Sequence, residues 1–435
     1  MERFDIGLMG VAAMVGFMMM RVPVGIALAL TSIVGIWAVT NFGAAMGMVR
    51  AIPYQFVANW SFSAIPMFLL MGYVASHAGL TSGLFRTMRL LLYRVPGGLA
   101  CASVGACALF AAASGSSVAT AAGMGRITIP EMRKAGYQDG LATGCVAAAG
   151  TLGSLIPPSV IMVIYGVFTQ APIGKLFMAG FLPGILTALV YIAMIIVRVS
   201  INPKLAPRTN EKPGPGELGL ALAESWPLPV LVLGVIGGIY AGVMTPTEAG
   251  AVGAALAAAI ALVRGSLTRK VIGDSVKDTV LGTSNLFVIA MGASMFTTFM
   301  GLAGLPNALA QNILAFGADP LVLILAISVL YIILGMFIDS LGIILLTLPF
   351  LLPLLNGANI DLIWFGILVV KLLEIGLITP PFGMNVFVIH SMMRGSVTLP
   401  TVFKGVGWFI AMEILILGLL IAFPQISLFL PSQMR

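Results

Sequence analysis

The chain has 435 residues, of which 60% are hydrophobic and only 9% are charged, against about 25% charged in soluble domains. This composition excludes a water-soluble fold and a disordered chain, and three cysteines in apolar runs exclude a disulfide scaffold. A net charge of +7 and a mean hydropathy of +1.09 instead indicate an integral membrane protein with no expected nucleic-acid partner.

Apolar runs bounded by polar residues, glycine or proline predict the membrane segments in chain order. Two long runs, Pro96–Arg133 and Pro320–Asn356, are interrupted near their middle and predict hairpins. The amphipathic stretches Thr81–Arg94 and Gly265–Lys277 predict interfacial helices, and the proline-rich stretch Ser200–Glu224 predicts a linker. The ten predicted crossings are Asp5–Met20, Pro23–Thr40, Ala64–Ser76, Gly140–Gln170, Ile173–Arg198, Trp226–Met244, Pro246–Val263, Val280–Met300, Leu362–Ser391 and Phe403–Phe423.

The distribution of basic residues predicts the orientation. With both termini outside and both hairpins re-entering without crossing, sixteen lysines and arginines lie inside and four outside. If both hairpins crossed the membrane fully, the basic linker would face outward. The positive-inside rule therefore favours re-entrant hairpins and periplasmic termini.

An internal repeat supports this topology. At one offset of 223 positions, the second half of the chain repeats key residues of the first. Five crossings separate the hairpins, and this odd number predicts that the halves are inverted. The sequence thus predicts an all-α polytopic membrane protein with inverted repeats, two re-entrant hairpins and two discontinuous helices, as in secondary transporters. The matching positions are Ser116–Ser117 with Asp339–Ser340, Gly153 with Gly376, and Pro157–Pro158 with Pro380–Pro381.

The first hairpin tip, Ala113–Thr120, carries four hydroxyl side chains and a glycine. Backbone that leaves a helix at membrane depth must line a cavity or be buried in protein. Its free carbonyls and the hydroxyls form a neutral oxygen cage that suits a hard cation such as Na⁺. The alternative is close helix packing, in which small residues are also common.

The Gly140–Gln170 stretch is too long for one span and contains Pro157 and Pro158, which remove helix hydrogen-bond donors. It therefore predicts a helix broken near Gly153–Ser159, and its repeat partner Gly376–Asn385 predicts a second break. The N-terminus of the second half-helix would present a positive dipole end to an anionic substrate. The alternative is a simple proline kink.

Several ionisable residues are functional candidates. Asp339, at the second hairpin tip, could bind a cation or a proton, or be a hydrogen-bonded structural residue. Lys371 and Glu374 are three residues apart on one helix and can pair, and Glu248 more simply caps a helix. Arg126 is the basic residue nearest a tip, and an anchoring role is favoured over substrate binding.

These motifs resemble the large membrane subunit of the tripartite ATP-independent periplasmic (TRAP) transporters, which belong to the ion transporter superfamily. The likeness covers essentially the whole chain and implies an elevator mechanism. It implies Na⁺ sites between each hairpin tip and the facing broken helix, with substrate between the tips. The matching segments are Ile65–Gly72, Ala113–Thr120, Gly153–Ser159, Thr245–Ala249 and Glu374–Asn385.

Carried onto this sequence, the resemblance implies two sets of binding residues. The Na⁺ ligands are expected to be Ser114, Gly115, Ser116, Ser117, Gly153, Pro157, Asp339, Ser340, Thr379, Pro381 and Gly383. The substrate ligands are expected to be Ser117, Thr120, Ser159, Ser340 and Asn385.

The predicted organisation alternates scaffold and transport segments. Residues 1–95 form scaffold helices and an interfacial arm, and 96–170 form the first transport half, with hairpin 1 and its broken helix. Residues 171–319 form further scaffold helices, the linker and a second arm, and 320–395 form the second transport half. Residues 396–435 form the C-terminal helix.

The resemblance implies Na⁺-coupled uptake of a small organic acid, of dicarboxylate or sialic-acid type, across a bacterial inner membrane. The expected partners are membrane lipid, a separate small four-helix subunit and a periplasmic substrate-binding protein. Neither an organic cofactor nor a transition metal is expected. The main alternative is a standalone Na⁺- or H⁺-coupled dicarboxylate symporter. An enzyme is not expected, because the chain has two histidines and no H-E-x-x-H motif.

Overall fold

A computed structural model of the chain describes residues 2–207, 214, 216–315, 317 and 319–434, and all the regular structure in these ranges is helical. The prediction of an all-α protein is confirmed. The helices of the first half are α1 Arg3–Met19, α2 Val24–Val39, α3 Phe42–Val57, α4 Ala64–His77, α5 Ser82–Leu91, α6 Gly98–Ser114, α7 Ser117–Lys134, α8 Asp139–Gly150, α9 Leu152–Leu155, α10 Val160–Thr169 and α11 Ile173–Ile201. Those of the second half are α12 Glu217–Ser225, α13 Pro227–Tyr240, α14 Pro246–Val263, α15 Arg269–Ala303, α16 Leu305–Ala315, α17 Pro320–Gly335, α18 Ser340–Gly357, α19 Leu362–Ile378, α20 Met384–Met392, α21 Leu399–Ala422 and α22 Gln425–Gln433.

The same series of elements occurs twice. In the first series, α6 and α7 form a hairpin, followed by the broken helix α8–α9–α10. In the second, α17 and α18 form a hairpin, followed by the broken helix α19–α20. Each break contains a cis Pro–Pro bond, Pro157–Pro158 or Pro380–Pro381, at the positions that the repeat predicted. Proline ends both first half-helices because it cannot donate the next helical hydrogen bond.

Fewer helices are long enough to span a membrane than the ten that the sequence predicts. Six helices in the described ranges are long and apolar enough to cross a membrane, or up to eight if each of two bent pairs is one span. The predicted ten crossings include shorter elements, such as the 17-residue α1 and the 16-residue α2. The count of ten crossings and the orientation of the termini stay predictions.

The second interfacial helix, predicted at Gly265–Lys277, is wrong as a separate element. Its residues from Arg269 onward form the first turns of α15, which continues for 35 residues without a break. The Thr268 side chain caps this helix by accepting a hydrogen bond from the Val271 N–H at 3.2 Å, and neither glycine nor proline interrupts Lys277–Val280. The first stretch, Thr81–Arg94, does contain a short helix, α5.

Glycines allow the long helices to pack backbone against backbone. A Cβ added at Gly292 in α15 would collide with the Gly25 carbonyl of α2, and one added at Gly405 in α21 would collide with the Gly140 carbonyl of α8. Such contacts of small residues are typical of helix association in membranes. The central part of the predicted linker Ser200–Glu224 and the C-terminal Arg435 lie outside the described residues.

Candidate functional site

The first hairpin tip is a two-residue turn between α6 and α7. Gly115 adopts a left-handed conformation with φ of +60°, which a residue without a Cβ reaches at little cost. Ser116 then caps α7 by accepting a hydrogen bond from the Ala119 N–H at 3.4 Å. The tip therefore exposes carbonyl and hydroxyl oxygens where the helix stops.

This tip is hydrogen-bonded to the first broken helix. The Ser117 and Ser154 hydroxyl oxygens are 2.5 Å apart, and Ser117 Oγ donates to the Thr151 carbonyl at 3.1 Å. Val160 N–H donates to the Gly115 carbonyl at 3.4 Å. The tip residues and the break thus form one polar contact region.

Gly153 permits the closest part of this contact. A Cβ at Gly153 would overlap the Ser116 carbonyl oxygen and lie 2.5 Å from Thr120 Oγ1. Thr120 Oγ1 itself donates to the Ser116 carbonyl at 2.8 Å and lies 2.6 Å from Ser114 Oγ. Ser114 and Thr120 are therefore engaged inside the hairpin.

The second tip is longer, because four residues, Met336–Asp339, separate α17 from α18. Asp339 caps α18 by accepting a hydrogen bond from the Leu341 N–H at 3.2 Å. Gly376 of α19 packs against Gly335 of α17, so closely that an added Cβ would lie 2.7 Å from the Gly335 Cα. The second break differs from the first in being open, because Pro380 and Pro381 are both exposed, whereas Pro157 and Pro158 are buried.

A chamber of about 210 Å³ lies between the two tips. It brings together Ser116 and Ser117 from hairpin 1 with Asp339 and Ser340 from hairpin 2. Of the residues that the structure describes, no lysine or arginine lines it, and Asp339 is its one formally charged side chain. Its lining is Leu69, Tyr73, Gly115, Ser116, Ser117, Val118, Ser154, Val160, Ile161, Gly282, Leu286, Asp339, Ser340, Leu341 and Leu377.

The chamber includes residues that no candidate motif singled out. Tyr73 on α4 and Gly282 and Leu286 on α15 complete its wall. Leu69, also on the wall, belongs to Ile65–Gly72, one of the segments that resemble the transporter family, so the sequence pointed to this part of α4. Gly282 and Leu286 had no such signal, because only the tertiary fold brings α15 to the hairpin tips.

The other predicted ligands are not among the residues that line the chamber. Ser159 caps α10 by accepting a hydrogen bond from the Met162 N–H, and the Thr379 hydroxyl donates to the Ile375 carbonyl at 2.6 Å. Asn385 is buried and its Nδ2 donates to the Ala147 carbonyl at 3.2 Å, which links the two broken helices. Pro157, Pro381 and Gly383 lie in the breaks. Their Na⁺ and substrate roles, like those of the wall residues, stay predictions.

The remaining ionisable candidates have structural partners or lie away from the chamber. Lys371 pairs with Glu374 as predicted, with Nζ and Oε2 3.2 Å apart, and also with Glu413, which no sequence signal indicated. Glu248 completes a capping box at the start of α14, with its Oε2 accepting from the Thr245 N–H at 2.7 Å. Arg126 is exposed on α7.

The chain is similar over most of its length to known transporter subunits. It is 35% identical to the sialic acid TRAP transporter large permease protein SiaM of Vibrio cholerae over 428 residues, which cover 98% of this chain and 96% of that one. It is 37% identical to the C4-dicarboxylate TRAP transporter large permease protein DctM of Pseudomonas aeruginosa, over 86% of this chain and 87% of the other.

The fold also resembles solved membrane transporters. The YdaH transporter of Alcanivorax borkumensis matches with a TM-score of 0.59 at 17% identity, over 88% of this chain and 90% of that one. The family model of the tripartite ATP-independent periplasmic transporter, DctM component, matches residues 11–426. The chain therefore belongs to the DctM family of tripartite ATP-independent periplasmic transporters.

Proposed function

We propose that this TRAP permease subunit drives uptake of a small organic acid anion with a Na⁺ gradient. The observation that carries the proposal is the chamber between the hairpin tips, where hydroxyl groups from both hairpins meet around Asp339. Na⁺ prefers hard oxygen ligands, and hydroxyl, carbonyl and carboxylate oxygens are all present at the tips. Bound Na⁺ would supply positive charge to the chamber.

The charge of the chamber lining explains why an anionic substrate would bind there only together with a cation. Asp339 alone would repel an acidic substrate, and the described lining contains no basic side chain to offset it. The helices α7 and α18 begin at Ser117 and Ser340, so their positive dipole ends lie at the chamber. Na⁺ at the tips would neutralise Asp339, and together with these helix ends it would attract a carboxylate.

The substrate class is inferred from the relatives. SiaM is named for sialic acid and DctM for C4-dicarboxylates, and both compounds are organic acids. We extend this class, but neither individual substrate, to this chain. The tripartite family further supports a small membrane subunit and a periplasmic binding protein as partners.

The proposed mechanism is an elevator movement of the hairpins and broken helices. Buried hydrogen bonds tie α11 and α21 to the broken helix α19, through Lys371, Thr187 and Glu413. We therefore include α11 and α21 in the mobile body, together with the hairpins, whereas the sequence places α11 in a scaffold segment. The remaining helices, such as α2 and α15 with their glycine contact, would form the scaffold with the small subunit.

Sodium-dependent stability of the purified complex tests the cation site. Melting curves are compared in NaCl, KCl and choline chloride for the wild type, Asp339→Asn and the matched control Asp319→Asn. Both aspartates cap an arm of hairpin 2, and asparagine keeps the cap, so the two variants differ mainly in whether the lost charge lies at the chamber.

We expect NaCl alone to stabilise the wild type and Asp319→Asn, by about 2.7 kcal/mol at 100 times the dissociation constant. Asp339→Asn should lose most of this gain. Equal stabilisation by all three salts, or a full Na⁺ effect in Asp339→Asn, would contradict the proposed site. Uptake into proteoliposomes with and without a binding protein then separates the tripartite mechanism from a standalone symporter.

A further inference from the structure

A second polar group lies in the protein interior, apart from the chamber lining. Lys371 and Glu374 on α19, Glu413 on α21, and Thr187 and Tyr191 on α11 meet there, and each is fully buried. Lys371 Nζ lies 2.7 Å from Glu413 Oε2, 3.2 Å from Glu374 Oε2 and 2.9 Å from Thr187 Oγ1. We call these five residues the buried cluster.

The formal charges of the buried cluster do not balance. One lysine faces two glutamates, which leaves one negative charge if both carboxyl groups are ionised. An uncompensated carboxylate in a buried, low-dielectric site is strongly unfavourable, and such a group takes up a proton or pairs with a cation.

The contacts distinguish the two carboxyl groups. Glu413 Oε1 accepts hydrogen bonds from the Tyr191 hydroxyl and from Lys371. Glu413 Oε2 has no hydrogen bond among the described residues, but it lies 2.7 Å from the Lys371 ammonium, so both oxygens of Glu413 have a polar or charged neighbour. Glu374 contacts Lys371 through Oε2, whereas its Oε1 is buried and has no hydrogen-bond partner among the described residues. An ionised Glu374 would bury a negatively charged oxygen without a hydrogen bond, which is costly. A protonated Glu374 carries no charge, so burying it without that hydrogen bond costs less.

A further polar side chain faces the cluster. Besides the five members, Thr151 at the α8–α9 junction lies within hydrogen-bonding reach of the Tyr191 hydroxyl. Titratable side chains on the helices packed around the cluster engage other partners. Tyr165 donates to the Leu362 carbonyl, Tyr331 bonds Thr347, His390 contacts the Val397 carbonyl, Asp139 pairs with Arg133, Asp339 caps α18 and Cys145 contacts the Ala100 carbonyl.

We propose that the buried cluster is a proton-binding site, in which Glu374 holds one proton while Lys371 and Glu413 form an ion pair. The bound proton brings the cluster to zero net charge. The site lies close to the chamber, because Leu377, which lines the chamber, is one turn from Glu374 on α19. The cluster therefore adds a proton to the cations that the moving helices would carry.

Infrared spectroscopy of the full chain in lipid nanodiscs tests this assignment. A protonated carboxyl group has a carbonyl stretch that is separate from the carboxylate bands. At neutral pH the wild type should show this band from the cluster. Glu374→Gln and Glu413→Gln each make the cluster neutral without a proton, so each should lose the contribution of one protonated carboxyl. Both substitutions preserve side-chain shape, and either one suffices if the other fails to fold.

Lys371→Met gives the opposite result, because two carboxyl groups then lack a cation and both should be protonated. Its band should be about twice that of the wild-type cluster. Asp339→Asn is the control, since it removes the half-buried carboxyl group at the chamber and should leave the cluster band in place. A band that is unchanged in both glutamine variants overturns the proposal. A second result would also overturn the proposal. In it, the wild type shows no protonated carboxyl band from the cluster, and Na⁺ stabilises the wild type and Asp339→Asn but not Glu374→Gln. This would show that a metal cation, not a proton, is bound at the buried cluster.

Discussion

Two glycines at matching positions of the repeat should be sensitive to the smallest possible substitution. Gly153 on the first broken helix approaches the hairpin 1 tip, and Gly376 on the second approaches hairpin 2. Alanine at Gly153 would place a methyl group into the Ser116 carbonyl, and alanine at Gly376 would place it 2.7 Å from the Gly335 Cα. Backbone atoms cannot turn aside as a flexible side chain can, so each broken helix must separate from its hairpin.

The expected cost follows from overpacking. Forcing an extra methyl group into a well-packed interior typically costs about 1–3 kcal/mol. The higher helix propensity of alanine offsets up to about 1 kcal/mol of this. Gly273 on α15 is a matched control, because it is helical and has open space where the methyl group of alanine would lie. Gly273→Ala should therefore leave stability unchanged or raise it.

Unfolding in a graded series of detergent mixtures measures the free energy of unfolding of the three variants. Gly153→Ala and Gly376→Ala should both fall below the wild type, and Gly273→Ala should not. Gly153→Ala should also weaken the Na⁺-dependent stabilisation, because the Ser116 carbonyl lies at the proposed cation site. The packing argument fails if the free energies of unfolding of Gly153→Ala and Gly376→Ala both equal or exceed that of Gly273→Ala.

Three further substitutions separate the chamber from the rest of the fold. Ser154→Ala removes the hydroxyl that bonds Ser117, so it should lower the free energy of unfolding by about 0.5–1.5 kcal/mol and reduce the Na⁺-dependent melting shift. Ser103→Ala breaks a hydrogen bond within α6, so it should lower the free energy of unfolding and leave the Na⁺-dependent melting shift unchanged. Thr245→Ala removes the capping box with Glu248, so it should lower the free energy of unfolding and leave the Na⁺-dependent melting shift unchanged. A changed melting shift would contradict this and would link α14 to the chamber.

Local chemistry made the broken helices and hairpins predictable. Pro157–Pro158 and Pro380–Pro381 end helices wherever they stand, and the glycine and serines at 114–117 favour a turn in any context. The helices that were not predicted from the sequence, α3, α12, α16 and α22, lack such signals. α3 carries Arg50 and an internal Pro53, so it resembles a loop by composition, and packing against its neighbours maintains it as a helix.

Long-range partners were beyond the reach of the sequence. The spacing of Lys371 and Glu374 predicted their ion pair, because residues three apart on a helix are neighbours. Glu413 is 42 residues from Lys371, and nothing local distinguishes it as the second partner. The walls of the chamber on α4 and α15 are likewise set by tertiary packing, and the open second break has the same local sequence signature as the closed first one.

A continuous series of polar contacts joins the chamber to the buried cluster. Ser117 at the chamber donates to the Thr151 carbonyl, the Thr151 hydroxyl lies within reach of Tyr191, and Tyr191 bonds Glu413. Thr151 stands where α8 gives way to α9, so a shift of hairpin 1 against this junction would act on both ends of the series. The proposed cation site at the tip and the proposed proton site at the buried cluster would therefore be connected through one residue, Thr151. A subunit with both sites would couple them through this junction rather than through the substrate, because the described chamber lining includes no member of the cluster.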